Sequence, residues 1–258
     1  MKKSIITVIT ALCLFGVSDI YAQGGMYPQG GYRPTHHRPH HGFYGRHGIE
    51  LSFGYALSNY RHKDFSTEIV DKDRSLHGVY VGLTKDFALI RRTFYFQTGL
   101  TYTYQNSSNR FDVGTLQLVS DRNEHYLDLP LRFKLAMDVI PNLRAFVYAG
   151  PTLNFGLSSK LYDRCRLDDA KVGKFTYNYF NGKTKVNTIP SYTATLPPCP
   201  YRAFDVDMGF AVGVEVYDVA VVKLGFDWGL INKNKNKNIA DYRVTHRNTF
   251  NIGVGVRF

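Results

Sequence analysis

From about residue 48 onward, apolar and polar residues alternate with a period of two, the pattern of strands that show one face to an apolar medium and the other to a polar one. Eight such segments are predicted. The first spans about 48–58, with Ile49, Leu51, Phe53, Tyr55 and Leu57 on its apolar face. Segments at about 77–85 and 93–105 follow, then "YLDLPLRFKLAM", where Leu127, Leu129, Leu131, Phe133 and Leu135 share a side. The others lie at about 144–157, 203–217, 220–231 and 248–258. In the last, Phe250, Ile252, Val254, Val256 and Phe258 alternate with Asn251, Gly253, Gly255 and Arg257. A final strand buried in a soluble core would carry polar residues beyond its apolar face, whereas one that meets lipid needs none.

The connections alternate in length. Long polar stretches, about 59–76, 106–124, 158–202 and 232–247, follow the first, third, fifth and seventh segments, and short ones follow the second, fourth and sixth. A soluble β-sandwich has no reason to collect every long loop at one end, but a transmembrane barrel does. The expected fold is therefore all-β, an eight-stranded antiparallel up-and-down transmembrane β-barrel over 48–258, with both termini on the short-turn, periplasmic side of a bacterial outer membrane. Pro130 and Pro151 fall inside strands and mark bulges or local breaks in pairing.

The start of the chain sharpens the destination. Lys2 and Lys3, an apolar run from Ile5 to about Val17 and the small-residue end at Ala22 have the order of a secretory signal over 1–22. That run is too short to cross a bilayer as a helix, and no later segment offers 18 consecutive apolar residues, so helical spans are excluded. Removing the signal leaves 32 − 2 = 30 basic and 21 − 1 = 20 acidic residues, a net +10. In an exported chain that excess matches phosphorylated lipid and lipopolysaccharide headgroups and not nucleic acid.

Residues 23–47 form a flexible Gly/Pro/His-rich segment, expected to be disordered and periplasmic. Its paired imidazoles, His36, His37, His40 and His41, have the chemistry to chelate one zinc, copper or nickel ion. A plain solvated tail, a metal-buffering tail and a docking segment for a periplasmic partner all remain open. Outside the signal two cysteines remain, Cys165 and Cys199, and an even count in an oxidising compartment points to one disulfide.

If the apolar set faces lipid, the other set faces inward. It holds Glu50, Asp128, Asp205, Asp207, Glu215 and Asp227 against Arg132, Lys134, Lys223 and Arg257. The interior of eight strands is only wide enough for side chains, so these charges are expected to pair into a polar plug, which argues against a diffusion porin.

The segments "YLDLPLRFKL", "AFVYAGPTLNFGLSS" and "FDVDMGFAVGVEV" resemble the outer-membrane β-barrel family of Bacteroidota-type bacteria, which includes PorT-like proteins, and more broadly the small OmpA/OmpX-like barrels. The resemblance covers most of 47–258 and implies a barrel more than an activity. The ending also resembles the signal read by the barrel-assembly machinery, which falls here on Asn251, Gly253, Val256 and Phe258.

Three further features bear on function. Phe175, Tyr177, Tyr179, Phe180 and Tyr192 stud the third long loop, as a partner-binding surface or as aromatics packed over the barrel mouth. "NKNKNKN" from Asn232 to Asn238 gives the fourth a basic tip, solvated or in contact with lipopolysaccharide phosphates. Ser120, Asp121, Glu124 and His125, with His246, are the materials of a lipid-modifying site, yet no Gly-x-Ser-x-Gly or His-Glu-x-x-His is present. The expectation is a non-enzymatic membrane anchor or binding module without a cofactor, with a narrow channel or a secretion-system accessory as the alternative.

Overall fold

A computed structural model describes residues 48–63, 75–90, 93–113, 115–167, 170–188, 201–235 and 244–258. The strands are β1 (Ile49–Lys63), β2 (Leu76–Ile90), β3 (Phe94–Val113), β4 (Leu116–Ile140), β5 (Leu143–Leu167), β6 (Ala170–Asn178), β7 (Thr184–Thr188), β8 (Phe204–Val216), β9 (Ala220–Gly229) and β10 (Val244–Arg257). All pair antiparallel. The order β4-β3-β2-β1-β10-β9-β8-β5 is closed by a β4–β5 pairing, giving an eight-stranded barrel. Those eight strands coincide with the eight alternating segments.

The two faces are chemically opposite. On β1, Leu51 and Phe53 are 49% and 58% exposed while Ser52 and Ala56 are at 2% and 1%, so the outer wall is apolar and the lumen polar. An apolar belt of that extent is incompatible with a monomer in water and suits a bilayer.

Two expected loops are strands instead. Residues 106–113 and 116–124 are the paired continuation of β3 and β4, and the stretch after 158 continues β5 and adds the hairpin β6–β7. At about 3.3 Å per residue, the 25 residues of β5 run for roughly 80 Å, where 9–11 tilted residues cross a membrane. The far half of β3, β4 and β5, with β6 and β7, therefore forms a sheet standing beyond the barrel rim.

The opposite end closes with tight turns. Tyr217 and Asp218 both take left-handed φ values, 53° and 55°, and the Val219 N–H donates to the Val216 carbonyl at 3.1 Å, the two-residue turn whose twist matches its flanking strands. Both internal prolines sit at breaks: the β3–β4 ladder is interrupted beside Pro130 and the β4–β5 ladder opposite Pro151. Next to Pro151 the chains approach so closely that a Cβ on Gly150 would lie 2.3 Å from the Leu131 carbonyl oxygen.

Candidate functional site

Alternation along each strand sends every second side chain into the lumen, where charge collects in tiers. At the turn end, Lys134 of β4 donates to Asp86 Oδ2 at 2.9 Å and binds Glu215 of β8. Arg257 of β10 grips both oxygens of Glu215 at 2.9 Å and reaches Asp86 at 2.8 Å, while Arg144 approaches Glu215 to 3.8 Å. One layer further in, Lys223 pairs with Glu50 at 2.6 Å and Arg132 with Asp227 at 2.6 Å, and Asn251 also donates to Asp227. A polar cavity of about 60 Å³ lies beside these pairs, bordered by Asp128, Asp207, Tyr80 and Asn154. It is large enough for a few water molecules.

All ten predicted lumenal charges thus face inward. Asp128 accepts a hydrogen bond from Thr103 at 2.9 Å, and Asp207 is 2% exposed. The prediction missed others. Asp86 and Glu124 raise the six acids to eight; Arg122, Arg144, Lys233 and Arg247 raise the four bases to eight. The named lumenal charges cancel, so the chain's excess of +11 lies outside this set.

The third tier lies at the mouth, beyond the apolar band, which on β4 ends at Leu127. Glu124 accepts from Arg122 Nε at 2.9 Å, from Ser159 at 2.7 Å and from Tyr60 at 2.7 Å. Burial alone would push its carboxyl up, but the Arg122 and Arg247 guanidiniums and the Ser159 hydroxyl hold it well below the usual range, at about 2. The Arg122 guanidinium lies 4.3 Å from the ring centres of both Tyr60 and Tyr179, and Tyr201 stacks on Tyr179 at 4.8 Å. Lys233, wholly buried, pairs with Asp205 at 3.2 Å and sits 4.8 Å from the Tyr126 ring centre.

Of the two readings open for the aromatic loop, packing over the mouth is the one observed, and the solvated basic tip is corrected. Phe175, Tyr177 and Tyr179 are at 1%, 5% and 9% exposure, in one cluster with Tyr60, Leu161 and Tyr201, so they pack over the mouth and offer no open aromatic surface. Within "NKNKNKN", Lys233 is a buried plug residue and not a solvated tip; residues 236–238 lie outside the described residues. The lipid-modifying cluster is split by alternation. Ser120 and Glu124 point inward, whereas His125 points outward and its Nδ1 bonds Tyr102 at 2.7 Å; Asp121, also outward, binds Ser108 and Arg164. His246 belongs to β10, across from Arg61, and no triad forms from these groups.

Of the remaining candidates, Cys165 is buried at 3% on the inner face of the extended sheet. Its expected partner Cys199, Tyr192 and the histidines His36, His37, His40 and His41 lie outside the described residues, as do the expected signal and tail. In β10, Asn251 and Gly253 face the lumen, while Val256 and, just past the strand, Phe258 are 54% and 51% exposed on the outer wall.

A family model described as outer membrane protein beta-barrel domain matches residues 33–234. The chain belongs to that family, and with it to the β-barrel proteins of the bacterial outer membrane. Among solved structures it is similar to Ail, the attachment invasion locus protein of Yersinia pestis, in complex with the heparin analogue sucrose octasulfate (9% identity, 82% of this chain and 99% of that one, TM-score 0.35). It is also similar to Neisserial surface protein A (11%, 82% and 97%, TM-score 0.39) and to the N-terminal β-barrel domain of Pseudomonas aeruginosa OprF (12%, 80% and 97%, TM-score 0.28). Comparison with curated proteins gives no match. The fold assignment rests on the strand register and the family match.

Proposed function

We propose that this outer-membrane barrel is a closed, non-enzymatic anchor, PorT-like in kind, that works through the sheet extending beyond its rim. The observation that carries the reading is the lumen itself: among the described residues, paired charge tiers and an arginine–tyrosine tier at the mouth flank a polar cavity of about 60 Å³. In this reading both termini are periplasmic and the β6–β7 hairpin faces outward. Asn251, Gly253, Val256 and Phe258 serve the barrel-assembly machinery, a Cys165–Cys199 disulfide staples the outward sheet, and the N-terminal histidines are free to take a metal ion.

The test is single-channel conductance of the chain from Gln23 to Phe258 refolded into a planar bilayer. Silence from a barrel shown to be folded by its heat-dependent gel shift supports the anchor. Discrete openings support the alternative, a narrow channel or transport accessory. An epitope tag inserted after Gly182, in the β6–β7 turn, should be reached by antibody on intact cells.

A further inference from the structure

We propose that the outward face of the sheet beyond the rim binds the phosphate groups of a glycolipid in the leaflet it adjoins; the proposal rests on the outward orientation above. The strand register sets Arg110, Val119, Arg164 and Lys174 side by side on β3, β4, β5 and β6, so three of the four neighbours are basic. Lys185 on β7 lies opposite Thr176, one alternation from Lys174, and Lys160 lies on the same face of β5, four residues nearer the membrane. Arg110, Lys160, Arg164, Lys174 and Lys185 are all exposed.

The fold gives no reason for this arrangement. Arg164 and Lys174 are direct cross-strand partners, and like charges in that position weaken a sheet. Asp121 on the same face binds Arg164, and no ion pair to Lys160, Lys174 or Lys185 occurs among the described residues. The other face of the same strands carries the aromatic cluster packed on the mouth, so the basic face is the one turned outward.

Its height selects the ligand. Just below it, two tyrosine–histidine pairs, Tyr55 with His77 and Tyr102 with His125, ring the outer wall where the apolar band ends, as amphipathic rings do at headgroup level. Lys160 stands one alternation above His125, opposite Asn123, and Arg164 stands roughly 13 Å further along the strand. A ladder of bases rising from the interface over that distance fits a phosphorylated sugar headgroup anchored by acyl chains against the band below.

The experiment uses the folded full-length mature chain in detergent, titrated with a diphosphorylated lipid A-type glycolipid and with the same glycolipid after phosphate removal. The phosphorylated form should bind about tenfold more tightly, and the triple variant Lys160→Gln, Lys174→Gln, Lys185→Gln, which keeps its heat-dependent gel shift, should lose most of that preference. Equal affinity for the two glycolipids, or an undiminished preference in the triple variant, overturns the proposal. Displacement by inorganic phosphate at matched phosphate concentration would make the ligand a free anion and overturn the headgroup assignment. Antibody access to the Gly182 tag with no phosphate preference overturns this inference alone; no access overturns the outward reading and this inference with it.

Discussion

The Lys233 ammonium lies 3.2 Å from the Asp205 carboxylate, and neither side chain is more than 1% exposed. The approach is off-axis for a hydrogen bond, so the contact is Coulombic. Removing one partner strands a charge in a fully buried site, at a cost of about 3–5 kcal/mol, whereas removing both is close to neutral. Lys233→Ala should therefore lower the urea midpoint of the vesicle-embedded barrel sharply, and Lys233→Met with Asp205→Asn should recover most of the loss. A single variant as stable as the parent would mean that the plug contributes nothing.

At the opposite end, the Glu215 and Asp86 carboxylates stand among three cations, Lys134, Arg144 and Arg257. With both acids replaced by alanine, three cations face one another across a narrow lumen and repel. The double variant should open discrete channels that favour anions, read as a reversal potential of anionic sign in a salt gradient. A silent double variant that still folds would place the block at the mouth tier alone.

Glu124 makes the mouth pH-sensitive in one direction. Its folded carboxyl is depressed to about 2 from an ordinary value of 4.5, so its stabilising contribution is fully present above pH 4.5 and is lost as pH falls towards 2. The near-UV circular dichroism of the stacked tyrosines around Arg122 should hold steady from pH 7 to 5 and decay below 4.5. In Glu124→Gln that acid limb should flatten. A transition centred near neutral pH would assign the titration to another group.

The barrel was legible because lipid on one side and a polar lumen on the other force strict alternation, and the ten inward charges followed from it. Beyond the rim that rule fails. The outer face there is polar and the inner face is an aromatic layer interrupted by Arg122 and Glu124, so 106–113, 116–124, 158–167 and 170–178 read as loops although they are strands. Lys233 read as a solvated tip because its flanking asparagines look like a turn. In fact Asn232 Oδ1 accepts the backbone N–H groups of Asn234 and Thr245, which pins the segment and aims Lys233 inward. Asp86 was hidden in a short connection, "DFALIRR", whose first residues belong to β2. None of these positions carries a one-dimensional signal; each depends on which strand lies across the lumen.

Gly253 and Phe258 both belong to the expected assembly signal, but the structure gives them different burdens. A Cβ on Gly253 would lie 2.0 Å from the Tyr80 hydroxyl oxygen and 2.8 Å from the Phe53 carbonyl oxygen, so the glycine is required by packing across the β1–β10 seam. Phe258 is half exposed on the outer wall, and its backbone N–H donates to the Ile49 carbonyl at 2.9 Å. Gly253→Val should impair refolding in detergent, where no machinery is present. Phe258→Ala should refold like the parent but reach the outer membrane of cells in reduced amount. Equal membrane levels for Phe258→Ala and the parent would remove this residue from the assembly signal, and a refolding defect in that variant would show its ring to be structural instead.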